Sequence, residues 1–305
     1  MANLKDIKSR INSVENTKKI TKAMKMVAAA KVKKAETSVK ASRPFSEELL
    51  SLFRKMLSTV KDISQSGEKI DESLDNYYEL LTKRDIKTVG LILVSSNKGL
   101  AGAYNANVIK AILKKIKSYK EEGKQVVLYI IGQKGVSAFK HKAGEFEIAK
   151  TYLAVANEPS PSGARMIAED IADDFISKKI DKVEIITTRF NNMMSYAVQD
   201  WTVLPAKLEL EEHKSSEPDP LMEFVPSTES ILKKIVPMYV TNSIYQALLE
   251  ANASELASRM TAMSAASNNA EEMIETLTVN YNKARQGAIT QELIEIVSGA
   301  EAAKN

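Results

Sequence analysis

Cysteine is absent from this 305-residue chain, which excludes disulfides, thiolate metal sites and thiol catalysis. Histidine is nearly absent: His141 and His213 stand alone, without ligand-like spacing, so no metal site is expected. Aromatic residues make up only 6%, and the first is Phe45. The basic N-terminal stretch before it therefore has no ring on which a base can stack, and nucleic acid is not an expected partner. No apolar run reaches the roughly 18 residues that span a bilayer. Met1 is followed at once by a charged helical pattern containing acids, so neither a signal nor a transit segment is read. Membrane association is expected only through partners.

What is present leans toward long helices. The chain is 44% hydrophobic and 27% charged, enough for a packed core, with Ala, Lys, Glu, Ile and Met abundant. The net charge of +4 is unevenly placed. Residues 1–43 hold twelve Lys/Arg against three acids, so the first seventh of the chain is strongly basic and the rest mildly acidic. Lys18, Lys22 and Lys25 follow one another at i, i+4, i+7 on one predicted helix face. No acid occurs between Asn16 and Ala35 to relieve them locally. A solvated face is the bland reading; an acidic partner is the sharper one.

Periodicity divides the chain into an N-terminal coiled-coil helix over 1–60, a connector over 61–84, an α/β domain over 85–205, a loop or foot over 206–237 and a C-terminal coiled-coil helix over 238–305. In the first helix Leu4, Ile7, Ile11 and Val14 repeat at 3-4-3 spacing, and Ile20, Met24 and Val27 continue after a phase slip. Pro44 is expected to kink this helix or end it at Arg43. In the middle, strands are predicted at 87–95, 125–131, 182–190 and 194–204, with helices at 103–119, 136–141 and 162–178. A short Asn191-Asn192 turn makes the last strand antiparallel to its predecessor. Strands separated by helices argue for a mostly parallel, Rossmann-like α/β sheet.

The C-terminal helix carries the clearest pattern. Leu249, Ala253, Leu256, Met260, Met263, Ser267, Ala270, Ile274, Leu277, Tyr281, Ala284 and Ala288 keep 3-4 spacing over more than five heptads. About sixty helical residues at ~1.5 Å each span roughly 90 Å. A globule of ordinary size cannot bury such a helix, which needs a second long helix or an external sleeve. The N-terminal helix is the natural mate. An antiparallel coiled coil of the two terminal helices around a central α/β domain is therefore the expected fold. Many seam positions are Ala or Ser, which bring helix axes close and favour a slim rod over maximal burial.

Ser95-Ser96-Asn97-Lys98-Gly99-Leu100-Ala101-Gly102 follows the first strand and opens a helix, where α/β folds bind phosphates. It matches neither GxGxxG nor a Walker loop, and its glycines suit a tight turn equally well. No paired carboxylates or activated nucleophile stand out elsewhere.

Three stretches resemble a known family. Asn3-Leu-Lys-Asp-Ile-Lys-Ser-Arg-Ile-Asn-Ser-Val-Glu-Asn-Thr-Lys-Lys-Ile-Thr-Lys-Ala-Met-Lys-Met-Val-Ala-Ala-Ala-Lys31 resembles the opening of F-type ATP synthase gamma subunits. Ser258-Arg-Met-Thr-Ala-Met-Ser-Ala-Ala-Ser-Asn-Asn-Ala270 and Tyr281-Asn-Lys-Ala-Arg-Gln-Gly-Ala-Ile-Thr-Gln-Glu-Leu-Ile-Glu-Ile-Val-Ser-Gly-Ala300 resemble its close. The segment from Ser96 to Gly102 is similar to the family's central Ser-Asp-Arg/Lys-Gly-Leu-Cys/Ala-Gly, and Glu217-Pro-Asp-Pro220 has a counterpart in some bacterial members.

The resemblance implies a rotor shaft with no catalytic residue, cofactor or metal of its own. The shaft turns inside a hexamer of alternating alpha and beta subunits, which hold the nucleotides. The α/β domain and foot stand on a ring of c subunits beside epsilon, at the cytoplasmic face of a bacterial plasma membrane. It implies that Met24 with Lys18, Lys22 and Lys25 faces the acidic lever of beta. Arg285, Gln286, Thr290, Glu292 and Glu295 match positions that contact beta-subunit loops or support coupling, and Glu217 matches a c-ring contact. Two residues depart from the pattern: Asn97 replaces the usual Asp, and Ser258 stands where Glu often precedes Arg-Met. The missing cysteines exclude the thiol switch of chloroplast members. A nucleotide-using enzyme, a flagellin-like filament protein and a basic-helix nucleic-acid binder are the rival readings.

Overall fold

A computed structural model describes residues 4–65, 79–140, 146–206 and 228–302. The elements in order are α1 (Leu4–Gln65), a 3-10 turn (Glu79–Leu81), β1 (Thr88–Val94), α2 (Tyr104–Glu121), β2 (Gln125–Ile131), α3 (Gln133–Phe139), β3 (Glu147–Tyr152), α4 (Pro161–Ile176), β4 (Lys182–Asn192), β5 (Ser195–Leu204) and α5 (Thr228–Ala302). The chain forms two compact units, one of residues 1–30 and 259–305, the other of residues 31–258. Among the described residues no helix is long and apolar enough to cross a membrane.

In the larger unit the sheet order is β3-β2-β1-β4-β5. The first four strands are parallel, and β5 returns antiparallel to β4. β1 shows why both faces must be covered, since its side chains alternate between two apolar layers. Val89, Leu91 and Leu93 meet Val108, Ile112, Ile116 and Tyr119 of α2. Ile92 and Val94 point the other way, toward Ile167, Ile171 and Phe175 of α4. α4 starts where Ser160 caps it, its Oγ accepting the Gly163 N–H at 3.1 Å, with Pro161 in the first turn.

The second face is also covered by the long helices. Phe53 and Met56 of α1 and Val236, Val240, Ile244, Leu248 and Ala251 of α5 belong to the α4 layer. Phe53 stacks on Tyr239 with ring centroids 4.8 Å apart. Each fully buried Leu, Ile, Val or Phe here contributes about 1.5–3 kcal/mol relative to exposure. Within this unit α1 and α5 run antiparallel. Asn242 donates to Ser46 at 3.0 Å, Ser42 to Gln246 at 2.8 Å, and Arg43 to Glu250 at 2.9 Å.

The expected antiparallel pair of terminal helices and the mostly parallel sheet are both present, with four differences in detail. Pro44 neither ends nor interrupts α1, which is helical from Leu4 to Gln65. An interior proline costs ~3 kcal/mol, but α1 is held to α5 on both sides of it, through Ser42 and Arg43 before and Ser46 after. α5 likewise starts ten residues before the predicted 238 and passes through Pro237, flanked by buried Val236 and Val240. β3 is not among the predicted strands: this edge strand buries only Tyr152, so neither a hydrophobic run nor a clean alternation marks it. The β4–β5 turn lies at Met193-Met194, and Asn192 ends β4 with its Oδ1 accepting the Met194 N–H at 2.8 Å.

Where β4 and β5 meet α2, Glu184 is buried among cations. Lys182 lies 2.6 Å and Lys115 3.2 Å from its carboxylate, and Lys115 also reaches Asp200 at 2.6 Å. Burial pushes the Glu184 carboxyl up, but hydrogen bonds from Lys182 and Tyr119 and the nearby positive charges outweigh it, holding the group below its ordinary 4.5. A depressed carboxyl contributes stability above its unfolded pKa and loses it as pH falls through the folded value. Thermal stability is therefore expected to fall as pH drops below about 4.5. Glu184→Gln should be less stable near neutrality and flatter in acid. Parallel acid profiles for both proteins would reject this role.

Candidate functional site

In the smaller unit, residues 4–30 of α1 pair with α5 from residue 259 to about Arg285. The α1 residues turned inward are Leu4, Ile7, Ile11, Val14, Lys18, Thr21, Met24 and Ala28, of which Thr21 and Ala28 are buried. On α5 the inward stripe is Met260, Met263, Ser267, Ala270, Ile274, Leu277, Tyr281, Ala284 and Ala288. These are the seam positions that the heptad spacing gives. Lys18 Nζ bonds Glu271 Oε1 at 2.8 Å. The buried residues follow Lys18 on α1 and precede Glu271 on α5, as an antiparallel pair requires. Lys18 lies fourteen positions after Leu4, and Arg285 lies fourteen positions after Glu271. Beyond Arg285 the helix α5 has no described α1 residue alongside.

The α1 stripe revises two expectations. Ile20 and Val27 are exposed rather than in the seam, which after the phase slip runs through Thr21, Met24 and Ala28. Lys18, Lys22 and Lys25 do not share one environment. Lys18 is turned inward with its charge met by Glu271, whose carboxyl is held below the usual range by that hydrogen bond and by the nearby positive charge. Lys22 and Lys25 are exposed. No acid within α1 signals the pairing, because the partner lies 253 positions away. Met24 is half-buried beside the two exposed lysines.

At the other end, Arg285, Gln286, Thr290, Glu292 and Glu295 are all exposed. Thr290 Oγ1 bonds the Gln286 carbonyl at 2.9 Å, and Gln291 reaches Glu295 at 3.1 Å. Among them lies a feature that the polar positions alone do not reveal. Ile289, Leu293, Ile296 and Val297 fall on one helical face at i, i+4, i+7, i+8 and are 47 to 68% exposed. The signal is legible in the chain: apolar residues continue on α5 after the seam has run out of mates. Glu217, the remaining candidate, lies outside the described residues.

The loop between β1 and α2, in the larger unit, commits its polar atoms to the end of β2, the start of α3 and the segment after β3. Ser95 Oγ accepts the Gly135 N–H at 2.9 Å and donates to the Ile131 carbonyl at 2.8 Å. Ser96 O accepts the Lys134 N–H at 2.9 Å. Asn97 Oδ1 accepts the Gln133 N–H at 2.9 Å, while its Nδ2 donates to the Leu153 carbonyl at 2.7 Å. A carboxylate can fill the first role but not the second, so the amide ties the α3 start to the segment after β3. Ser258 Oγ donates to the Ala101 carbonyl at 2.7 Å, giving the other departing position a use.

The crevice at the carboxyl ends of the strands, where doubly wound sheets take their ligands, is filled by α5. Leu248, Asn252 and Glu255 face Ser95, Ser96 and Tyr104 across a void of about 10 Å³, room for a single water. Burial first, and then the Glu255 carboxyl, push the Tyr104 phenol well above its usual range. A crevice plugged by a helix that brings a carboxyl is a packing joint, not a phosphate cradle. Among the described residues no three His, Cys, Asp or Glu cluster as a metal site would need.

Residues 3–303 match the family described as ATP synthase. A Synechococcus sp. (strain JA-3-3Ab) protein named ATP synthase gamma chain is 41% identical, over 99% of this chain and all of that one. The Gloeobacter violaceus protein of the same name is 37% identical with equal coverage. Among solved structures, the central stalk and c-ring of Tetrahymena thermophila mitochondrial ATP synthase contains a chain 25% identical to this one. It has a TM-score of 0.57, covering 81% of this chain and 99% of that one. A chain in the Euglena gracilis mitochondrial ATP synthase, 17% identical, shares the fold at a TM-score of 0.66 over 98% and 94%.

Proposed function

Because the chain belongs to the gamma-subunit family of F-type ATP synthases and is a central-stalk rotor shaft, we propose that it couples through the two faces its terminal helices leave uncovered. The observation that carries this is the apolar stripe Ile289, Leu293, Ile296 and Val297, exposed on a helix with no described mate beside it. An unpaired helix this apolar needs a surrounding sleeve. The alpha and beta subunits, as a hexamer, supply it.

Lys22, Lys25 and Met24 present the second face, to an acidic segment of beta, with Lys18 holding α1 to α5 behind them. Arg285, Gln286, Thr290, Glu292 and Glu295 surround the apolar stripe and meet beta-subunit loops. Each beta subunit then opens or closes according to the side of the shaft it meets. The rotor biases each site only by its difference in contact energy between the two conformations. The chain has no catalytic role, in keeping with a strand-end crevice filled by α5. Its base meets epsilon and the c-ring, through Glu217 among others, and partners hold it at the cytoplasmic face of a bacterial plasma membrane.

Reconstitution with alpha and beta subunits tests the proposal. Deletion of residues 291–305 should lower coupled ATPase activity and weaken assembly, while the 31–258 unit unfolds at an unchanged temperature. If the truncated chain assembles and stimulates ATPase like the full one, the apolar stripe has no such role.

A further inference from the structure

A groove of about 780 Å³ opens beside the amino ends of β1 and β4, walled by α1, α5 and the last residues of β5. It lies wholly within the 31–258 unit. Its three acids are already engaged: Asp181 with Arg84 at 2.9 Å, Glu184 with Lys182 at 2.6 Å, and Asp200 with Lys115 at 2.6 Å. Arg84 also donates to the carbonyls of Phe175 and Ile180 and lies over the Phe175 ring. Arg54 and Lys83 also line the groove, both are exposed, and neither has a hydrogen bond or ion pair among the described residues. Arg54 lies near enough to Tyr239 to counter the upward push of burial on that phenol. The groove thus offers two cations uncommitted among the described residues, the rings of Tyr239 and Trp201, and the half-exposed carboxylate of Asp200.

We infer that this groove docks an acidic segment of a neighbouring subunit, carboxylates on Arg54 and Lys83 and peptide N–H groups toward Asp200. This rests on the reading that the chain works inside a multisubunit complex. A guanidinium fork and an ammonium match two carboxylates. The carboxylates in the groove lining disfavour a phosphate headgroup, which has only acceptors to offer them, whereas a peptide supplies donors as well. Trp201 and Tyr239 are the side chains that peptide interfaces favour at their centre.

The test places a photo-crosslinker in the groove of the assembled complex, by Thr202→p-benzoylphenylalanine, which leaves both cations in place. Mass spectrometry should identify an adduct to another subunit's peptide carrying two or more Asp or Glu. Its yield should fall about tenfold when Arg54→Glu and Lys83→Glu are combined, and hold in the control Lys110→Glu. That peptide, synthesised, should shift the emission of Trp201, the chain's only tryptophan, in the isolated chain and not in the doubly reversed variant. A normally assembled complex giving no adduct, an adduct only to lipid or to this same chain, or a yield indifferent to the two reversals would overturn the inference. Failure of the unsubstituted chain to join any complex would instead overturn the functional reading beneath it.

Discussion

Glu250→Ala should destabilise the 31–258 unit by about 3–5 kcal/mol. Glu250 is buried on α5 and accepts four hydrogen bonds from three elements. Arg43 of α1 donates through Nε and Nη2 at 2.9 and 3.1 Å, the Phe190 N–H of β4 at 2.7 Å, and Gln246 at 3.0 Å. Arg43 closes the circuit by donating to the Phe190 carbonyl at 2.8 Å. Alanine would leave a guanidinium and a buried N–H without their acceptor, and unmet groups of this kind cost more than the bonds themselves contribute. A second substitution separates that cause from general loosening. Arg43→Met combined with Glu250→Leu removes the charge together with its counterpart, and should cost clearly less than Glu250→Ala alone. Urea unfolding followed through Trp201 measures both, since its indole donates to Ser243 of α5 at 3.0 Å. Equal losses in the single and double variants would show the network to be incidental.

Gly132→Ala should cost the same unit about 3 kcal/mol or more, by a different route. Gly132 sits between β2 and α3 at φ 94° and ψ 141°, an extended positive-φ conformation nearly confined to glycine, where a side chain costs about 1–3 kcal/mol. A Cβ there would also stand 2.2 Å from the Ser95 carbonyl oxygen and 2.6 Å from its carbon, both backbone atoms that cannot rotate away. Overpacking adds about 1–3 kcal/mol. Gly123 provides the control. Its φ is 74°, but nothing lies within 4 Å of where a Cβ would stand, so Gly123→Ala should carry the backbone penalty alone. A comparison of melting temperatures decides the matter. If the two variants melt together, the close approach of the two loops has no energetic weight.

These two positions show where sequence reading runs out. The α5 seam from Leu249 to Ala288 was legible because its information is local. A side chain every three or four residues fixes the buried face of a helix whatever covers it. The order of strands and helices between residues 88 and 204 was legible for the same reason. β3 escaped because an edge strand with one buried residue has almost no pattern to read. Nothing near Glu250 announces Arg43, 207 positions earlier, and nothing near Lys18 announces Glu271.

By itself, then, the sequence determined two long terminal helices, the face each buries, an α/β sheet between them in the chain, and a family. Only the tertiary structure decided that α1 would run on through Pro44, that α5 would plug the ligand crevice, and that Lys18 would be neutralised while Lys22 and Lys25 stay exposed. It also decided that the apolar stripe after Ala288 would find no cover among the described residues of the chain. The division follows from range: periodicity and propensity act within a few turns, whereas an ion pair, a filled crevice or an uncovered face depends on residues that meet only when the chain has folded.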